Sequence, residues 1–247
     1  GQDLGLGKSA MQEAIRYLES YRIRDVNERK FFNFGGGSFW HPAWQNVEFQ
    51  SDWYAGNADL IDIHQDFSEL GAYPIDSQGA RIIYTSHTIE HLLDEHVAHM
   101  FSEAYRILEP GGRFRVTCPD VDLFQRAYRD ENDSFFTCEE GLENRTLANM
   151  FVDEFATQLA SNRGDTSPLG LSDEELVELL SGDVLDDSYD FITSKCDFEV
   201  QRKKPGQHIN WWNPSKVERF LKQAGFSLIE KSAYGQSNEP GLWNTDW

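Results

Sequence analysis

Apolar residues along this chain follow two rhythms. Strand-length apolar runs stand at 31–34, 45–49, 60–63, 81–85 and 113–117. Around them apolar positions recur at helical spacing. Met11, Ala14, Ile15, Leu18 and Tyr21 predict an amphipathic helix over 9–21. Val97, Met100, Phe101, Ala104, Ile107 and Leu108 predict another over 92–108, which Pro110, Gly111 and Gly112 bring to a stop. Strands alternating with helices predict an α/β fold: a doubly wound, mostly parallel sheet.

The pattern changes after Pro119. A helix is expected over 121–128. A long acidic, mostly helical stretch then fills 130–205, with its best helices at 144–159 and 172–180. Ser172 followed by Glu175 is a capping-box signature. The stretch is too long for a loop in a compact sheet, so it reads as an inserted helical cap over the carboxyl edge of the strands. The core pattern resumes near 213, where Val217, Phe220 and Leu221 mark a helix that Gly225 ends. Another strand is expected over 226–229, then a turn at 238–241 and a very short final strand over 242–247. The expected organisation is an N-terminal helix (1–29), a core of 30–129 and 206–247, and the inserted cap (130–205).

Charge narrows the partners. The 247 residues carry 42 acidic and 22 basic side chains, a net charge of −20. Such a field repels nucleic-acid phosphates and anionic membrane surfaces. The one basic cluster, Arg202, Lys203 and Lys204, reads as a solvated loop. No apolar run approaches the ~20 residues that span a bilayer, and the polar start lacks the basic region of a signal peptide. Cys118, Cys138 and Cys196 are odd in number and widely spaced, so reduced thiols and a cytoplasmic location are expected.

The candidate chemistry sits at strand ends. Gly35, Gly36 and Gly37 follow the first strand, where glycines let the backbone bend and approach a ligand closely. Glu48 ends the second strand and can accept hydrogen bonds from both hydroxyls of a ribose. Asp66 and Phe67 follow the third. A carboxylate beside an aromatic ring suits an adenine, and Asp66 equally suits a helix cap. Ser86, His87, Glu90 and His91 follow the fourth. His87 is a candidate base, and His87, Glu90 and His91 also match an H-x-x-E-H metal pattern on one helical face. The same Glu90 and His91 equally suit a structural role at the start of the helix. His208, Trp211 and Trp212 either line an apolar substrate pocket or pin the cap to the core.

In this order the residues resemble the class I S-adenosylmethionine-dependent methyltransferases, closest to a small bacterial branch. The resemblance is carried by Gly35-Gly36-Gly37, His41-Pro42-Ala43-Trp44, Asn46-Val47-Glu48, Ile89-Glu90-His91-Leu92, Glu109-Pro110-Gly111-Gly112 and the 220–226 segment FLKQAGF. It covers about 30–125 and 208–235. It implies a Rossmann-like fold and S-adenosyl-L-methionine as cofactor, with Gly35 and Gly37 at its methionine end. Glu48 would hold the ribose, Asp66 and Phe67 the adenine, and Ser86 and His87 would lie beside the sulfonium. The first strand carries Asn33 where the family has an acid, and Phe39 stands at the third glycine of the turn.

The expected activity is methyl transfer to an oxygen or nitrogen of a small molecule or glycan precursor. His87 and Glu90 are the acid–base candidates, and no metal is assigned. One rival is a metal-dependent hydrolase built on His87, Glu90 and His91. A second is a non-catalytic module of the same fold that binds a nucleotide or a partner. The sequence sets no oligomeric state.

Overall fold

Five strands pair in the order β3-β2-β1-β4-β5, and every neighbouring pair is parallel. They are β1 (Phe31–Phe34), β2 (Trp44–Glu48), β3 (Ile63–His64), β4 (Ala80–Ser86) and β5 (Leu108–Thr117). This is the order of a Rossmann-like α/β sheet. The computed structural model describes residues 15, 17–136, 145–160, 171–233 and 236–242, excluding the side chains of 52–55. Two compact units divide the chain. One comprises Gly1–Ser86, Ala98–Thr117 and Phe220–Trp247; the other comprises His87–Val97 and Cys118–Arg219.

The first unit is built on β1. All four of its residues are buried, as expected of a central parallel strand covered on both faces. It pairs on one side with β2 (Phe34 opposite Val47) and on the other with β4 (Phe34 opposite Thr85). The helix Asp94–Ile107 leads directly into β5, and its predicted apolar stripe is realised: Met100, Phe101, Ala104 and Ile107 are fully buried. The Pro110-Gly111-Gly112 turn lies inside β5, where the register against β4 shifts between Ala80 and Ile82.

Over Phe31 and Ile82 the chain closes with a clasp of polar bonds. Residues 15 and 17–20 are helical, and the rest of the predicted 9–21 helix apart from Tyr21 lies outside the described residues. Trp44 Nε1 donates to Tyr17 Oη at 2.6 Å, and Tyr17 Oη donates to the Gly241 carbonyl at 3.0 Å. Tyr21 Oη donates to Glu239 Oε1 at 2.6 Å and accepts from the Gly241 N–H at 2.7 Å.

The expected strand over 226–229 does not form. Phe226 N–H turns back to the Leu221 carbonyl at 3.0 Å, and its ring packs on Tyr105 and Phe114. Beyond it, Arg115 of β5 donates from its guanidinium to the carbonyls of Gln236 (2.6 Å) and Ala233 (3.3 Å). Of the 242–247 strand, Leu242 lies in the 3-10 turn Pro240–Leu242 and the remainder lies outside the described residues. The second and third strands are found one to three residues away from their expected starts, at Trp44 and Ile63, and the 3-10 segment Asp52–Leu60 joins them.

The second unit contains the helices Val121–Arg129, Leu147–Asp153, Asp173–Leu179, Asp186–Thr193 and Phe198–Lys203. Phe151, Phe155, Leu176, Tyr189 and Trp211 meet in one core. The predicted capping box is complete: Glu175 N–H donates to Ser172 Oγ, and Ser172 N–H donates to Glu175 Oε2 at 2.7 Å. Cys118 and Cys196 are free thiols. Burial raises the pKa of both, Cys196 to about 12. Among the described residues, no helix is long and apolar enough to cross a membrane.

His41 gives the first unit a pH-sensitive element. It is 9% exposed and packs against the Tyr17 ring. Nδ1 accepts from the Ala43 N–H at 3.1 Å, while Nε2 is buried without a hydrogen-bond partner. Burial lowers its pKa from 6.5 to about 4. Between those values the unfolded chain binds a proton that the folded chain refuses. Stability is therefore full above pH ~6.5 and is lost as pH falls toward about 4, by up to about 3 kcal/mol. We predict that His41→Asn, which keeps the acceptor for Ala43, flattens this dependence. Urea midpoints at pH 7 and pH 4.5 check it: equal losses in wild type and variant would contradict the assignment.

Candidate functional site

In the first unit, the parallel pairing carries the carboxyl ends of β1 to β4 to one edge of the sheet. The Gly35 N–H donates to the Val47 carbonyl at 2.9 Å, and the Gln65 N–H donates to the Glu48 carbonyl at 3.0 Å. The glycine turn after β1, Glu48 at the end of β2 and the 64–67 segment after β3 therefore lie side by side. Gly35 (φ +76°) and Gly37 (φ +54°) take the left-handed backbone that favours glycine. The Gly37 N–H donates to Glu48 Oε2 at 3.2 Å, and the Phe49 N–H donates to Oε1 at 2.8 Å. Burial raises the pKa of the Glu48 carboxyl, and these two backbone donors partly offset the effect.

Gly36 is glycine for lack of room. A Cβ there would stand 2.5 Å from Asn46 Oδ1 and 3.1 Å from Asn46 Cβ. Asn46 is 4% exposed. Its amide donates to the carbonyls of Phe39 and Leu60, so it ties the end of the glycine turn to the 3-10 segment and cannot readily move aside.

Asp66 and Phe67 stand beyond β3. Asp66 Oδ1 accepts from the Ser68 N–H (2.9 Å) and from Ser68 Oγ (2.6 Å) within a turn, and the helix that Asp66 was expected to cap does not form. The Phe67 ring is buried, with centroids 5.6 Å from Phe34 and 5.7 Å from Tyr73. Ser86 ends β4, and its Oγ accepts from Thr117 Oγ1 at 2.7 Å. The glycines, Glu48, Asp66 and Ser86 thus share the carboxyl edge, whereas Phe67 turns its ring into the core.

His87, the residue after Ser86, begins the second unit. Its backbone is left-handed (φ +50°), and its side chain is 69% exposed. Nδ1 lies 3.0 Å from Glu90 Oε1. That bond raises the pKa of His87 above the usual range, with burial acting in the opposite direction. The single helical face expected for His87 and His91 does not form. Ile89–His91 is a short 3-10 turn, Leu92 is extended after it, and His87 lies outside it in the left-handed region.

The 207–212 segment is bonded to that turn. The Glu90 carbonyl accepts from the N–H groups of Ile209 (2.9 Å) and Asn210 (3.2 Å), and the Ile89 carbonyl accepts from Trp212 Nε1 at 3.1 Å. Trp211 and Trp212 are 2% and 1% exposed. Trp211 Nε1 donates to Asp190 Oδ1 at 2.7 Å. The Lys216 ammonium lies over both indoles at 4.4 and 4.5 Å and pairs with Asp94 at 2.8 Å. Burial lowers the pKa of Lys216, with Asp94 opposing. His208 packs edge-on to His91, centroids 4.9 Å apart.

Two contributors escaped the sequence reading. Asn46 belongs to the Asn46-Val47-Glu48 run, and strand alternation signals that it faces opposite to Val47, but the load it bears was not legible. Lys216 lies on a helix whose apolar face was recognised, and a buried ammonium between indoles leaves no mark in the pattern.

No protein-family model matches the sequence, and no curated protein matches it. Among solved structures, one match is a candidate S-adenosyl-L-methionine-dependent methyltransferase (mmp1179) from Methanococcus maripaludis. It is 19% identical over 57% of this chain and 78% of that one, with a TM-score of 0.26. An overlap this loose carries no argument, and the Rossmann-like fold stands on the strand order.

The packing of Gly36 makes a quantitative prediction. Gly36→Ala should destabilise by about 1–3 kcal/mol, through overpacking against Asn46. In an Asn46→Ala background the same change should cost less than half as much. A double-mutant cycle of urea unfolding energies measures the coupling. Equal costs in both backgrounds would show that the contact does not limit residue 36.

Proposed function

We propose that this protein is an S-adenosyl-L-methionine-dependent methyltransferase acting on a small molecule or glycan precursor. The observation that carries the reading is the Glu48 carboxylate at the end of β2, bonded to the Gly37 N–H of the turn after β1. In a Rossmann-like sheet, nucleosides bind at the carboxyl ends of the strands, with a glycine turn and an acid that accepts from the ribose. The donor set fits the cofactor. Glu48 would take the ribose hydroxyls, the Gly35–Gly37 turn would flank the methionine portion, and Asp66 would accept from the adenine amine. Phe67 would act from beneath, by fixing the Asp66 turn on the core.

The cofactor, when bound, supplies an electrophilic methyl group. The protein's task is to align an acceptor in line with it, which accounts for most of the rate gain. His87, one peptide bond beyond Ser86, is the residue assigned to take the acceptor's proton. Glu90 holds its imidazole through the 3.0 Å Nδ1 contact, which leaves Nε2 for the acceptor. The stretch 130–205 is assigned the choice of acceptor, with His208 the polar member of its binding set and Trp211 and Trp212 its buried support. The net charge of −20 favours a neutral or cationic acceptor over nucleic acid or a membrane surface. The free thiols Cys118 and Cys196 fit a cytoplasmic setting.

Calorimetry with S-adenosylhomocysteine tests the cofactor assignment. We expect 1:1 binding that Glu48→Ala weakens at least ~10-fold, the loss of a charged hydrogen-bonding group costing about 1.5–3 kcal/mol. Absence of binding at millimolar ligand would reject the enzyme reading and favour a module of the same fold. His87→Ala should leave that affinity within about twofold while lowering turnover about 10²–10⁴-fold. An unchanged rate on an identified acceptor would remove His87 from the chemistry.

A further inference from the structure

Glu90, His91 and His208 form a cluster that the methyl-transfer reading does not use as a unit. One ligand-capable atom from each lies within 4.8 Å of the others. Glu90 is 1% exposed. Its Oε1 faces His87, but its Oε2 is buried with no hydrogen-bond donor. A carboxylate oxygen in that state costs about 1–3 kcal/mol or more unless something positive meets it.

The two histidines are oriented to supply what is needed. His91 Nδ1 lies 3.0 Å from the Gln207 carbonyl, and His208 Nδ1 lies 2.8 Å from the Glu154 carbonyl. A carbonyl oxygen only accepts, so each Nδ1 carries the proton. In the neutral rings, both Nε2 lone pairs are then left for another partner. A backbone carbonyl on one ring nitrogen is the arrangement that fixes tautomer and direction in metal-bound histidines. The backbones are held as well. Ile209 and Asn210 donate to the Glu90 carbonyl, the His208 N–H donates to Thr157 Oγ1 (3.1 Å), and the His208 carbonyl accepts from the Thr157 N–H (3.0 Å).

We propose that Glu90, His91 and His208 bind one divalent first-row transition ion of the Zn²⁺ class, through Glu90 Oε2 and the two Nε2 atoms. Two imidazoles and one carboxylate are a donor set for zinc or for a related ion, and soft-ligand or all-oxygen metals do not match it. Ligands of a tetrahedral ion stand roughly 3.4 Å apart. Binding therefore requires ligand atoms that now lie within 4.8 Å of one another to draw closer together. Three protein ligands leave a position for water or for an oxygen of a substrate. His87 is not a ligand: its Nδ1 stands on the other carboxylate oxygen and steadies Glu90 from the opposite side. The inference is independent of S-adenosylmethionine binding and stands or falls without it.

The test uses the full chain, stripped of metal by chelator and dialysed. Zn²⁺ titration by calorimetry should give one site per chain. His208→Ala and His91→Ala should each weaken it at least about 10-fold, while His64→Ala leaves it within about twofold. Circular dichroism verifies that each variant is folded. Should a variant unfold, the wild-type Co²⁺ complex decides. An intense visible band of low-coordinate cobalt supports the site, and the weak band of the hydrated ion overturns it. Absence of 1:1 Zn²⁺ binding also overturns it, as does binding that survives His208→Ala.

Discussion

The structure depends on the parallel pairing of a short, wholly buried strand with neighbours on both sides. Phe31–Phe34 is buried on both faces, so its backbone groups must be satisfied by β2 and β4. Parallel pairing has a directional consequence. Strands that run the same way end at the same edge, and the turns that follow them crowd together whatever their separation in the chain. The Gly35–Gly37 turn, Glu48, Asp66 and Ser86 become neighbours for that reason. A polar edge of this kind is where backbone N–H groups remain available to a ligand.

The second unit solves a different problem, that of burying polar groups in a helical core. Trp211 and Trp212 are buried to their indole nitrogens, and each nitrogen finds an oxygen: Asp190 for one, the Ile89 carbonyl for the other. Lys216 lies over the same two rings and reaches Asp94 and Asn210 Oδ1. A buried ammonium is tolerable only when paired and hydrogen-bonded. The bonds of Asn210 to the Leu92 carbonyl and to Asp94 complete the set. These contacts join the 207–216 segment to the 89–94 segment through polar groups that are individually costly and jointly satisfied.

Much of the sheet was legible because its signals are local. Apolar runs located the strands to within a few residues, the helical stripe over 97–107 was read position by position, and Ser172 with Glu175 announced a helix start that the structure completes. The 226–229 segment was misread because an apolar run signals burial and says nothing about a partner. Phe226 is held by the rings of Tyr105 and Phe114 and by its bond to the Leu221 carbonyl. Phe67 shows the same limit at the candidate site, since an aromatic beside an acid looks alike in a core and at a ligand. The convergence of His208 on Glu90 and His91 was invisible for another reason. His91 and Gln207, which share a hydrogen bond, are 116 residues apart, and no periodicity carries information over that span.

The clasp of Tyr17, Tyr21 and Trp44 on Gly241 has a bearing on how the molecule assembles. Its bond between Tyr17 and Gly241 joins residues 224 positions apart. The entropy of closing so long a loop must be offset before the contact returns anything. The clasp therefore belongs to the final stage of assembly, after β1, β2 and β4 have aligned and brought its members within reach. Loop-closure entropy thus favours an order of chain closure that runs from the central strand outward to the tyrosines.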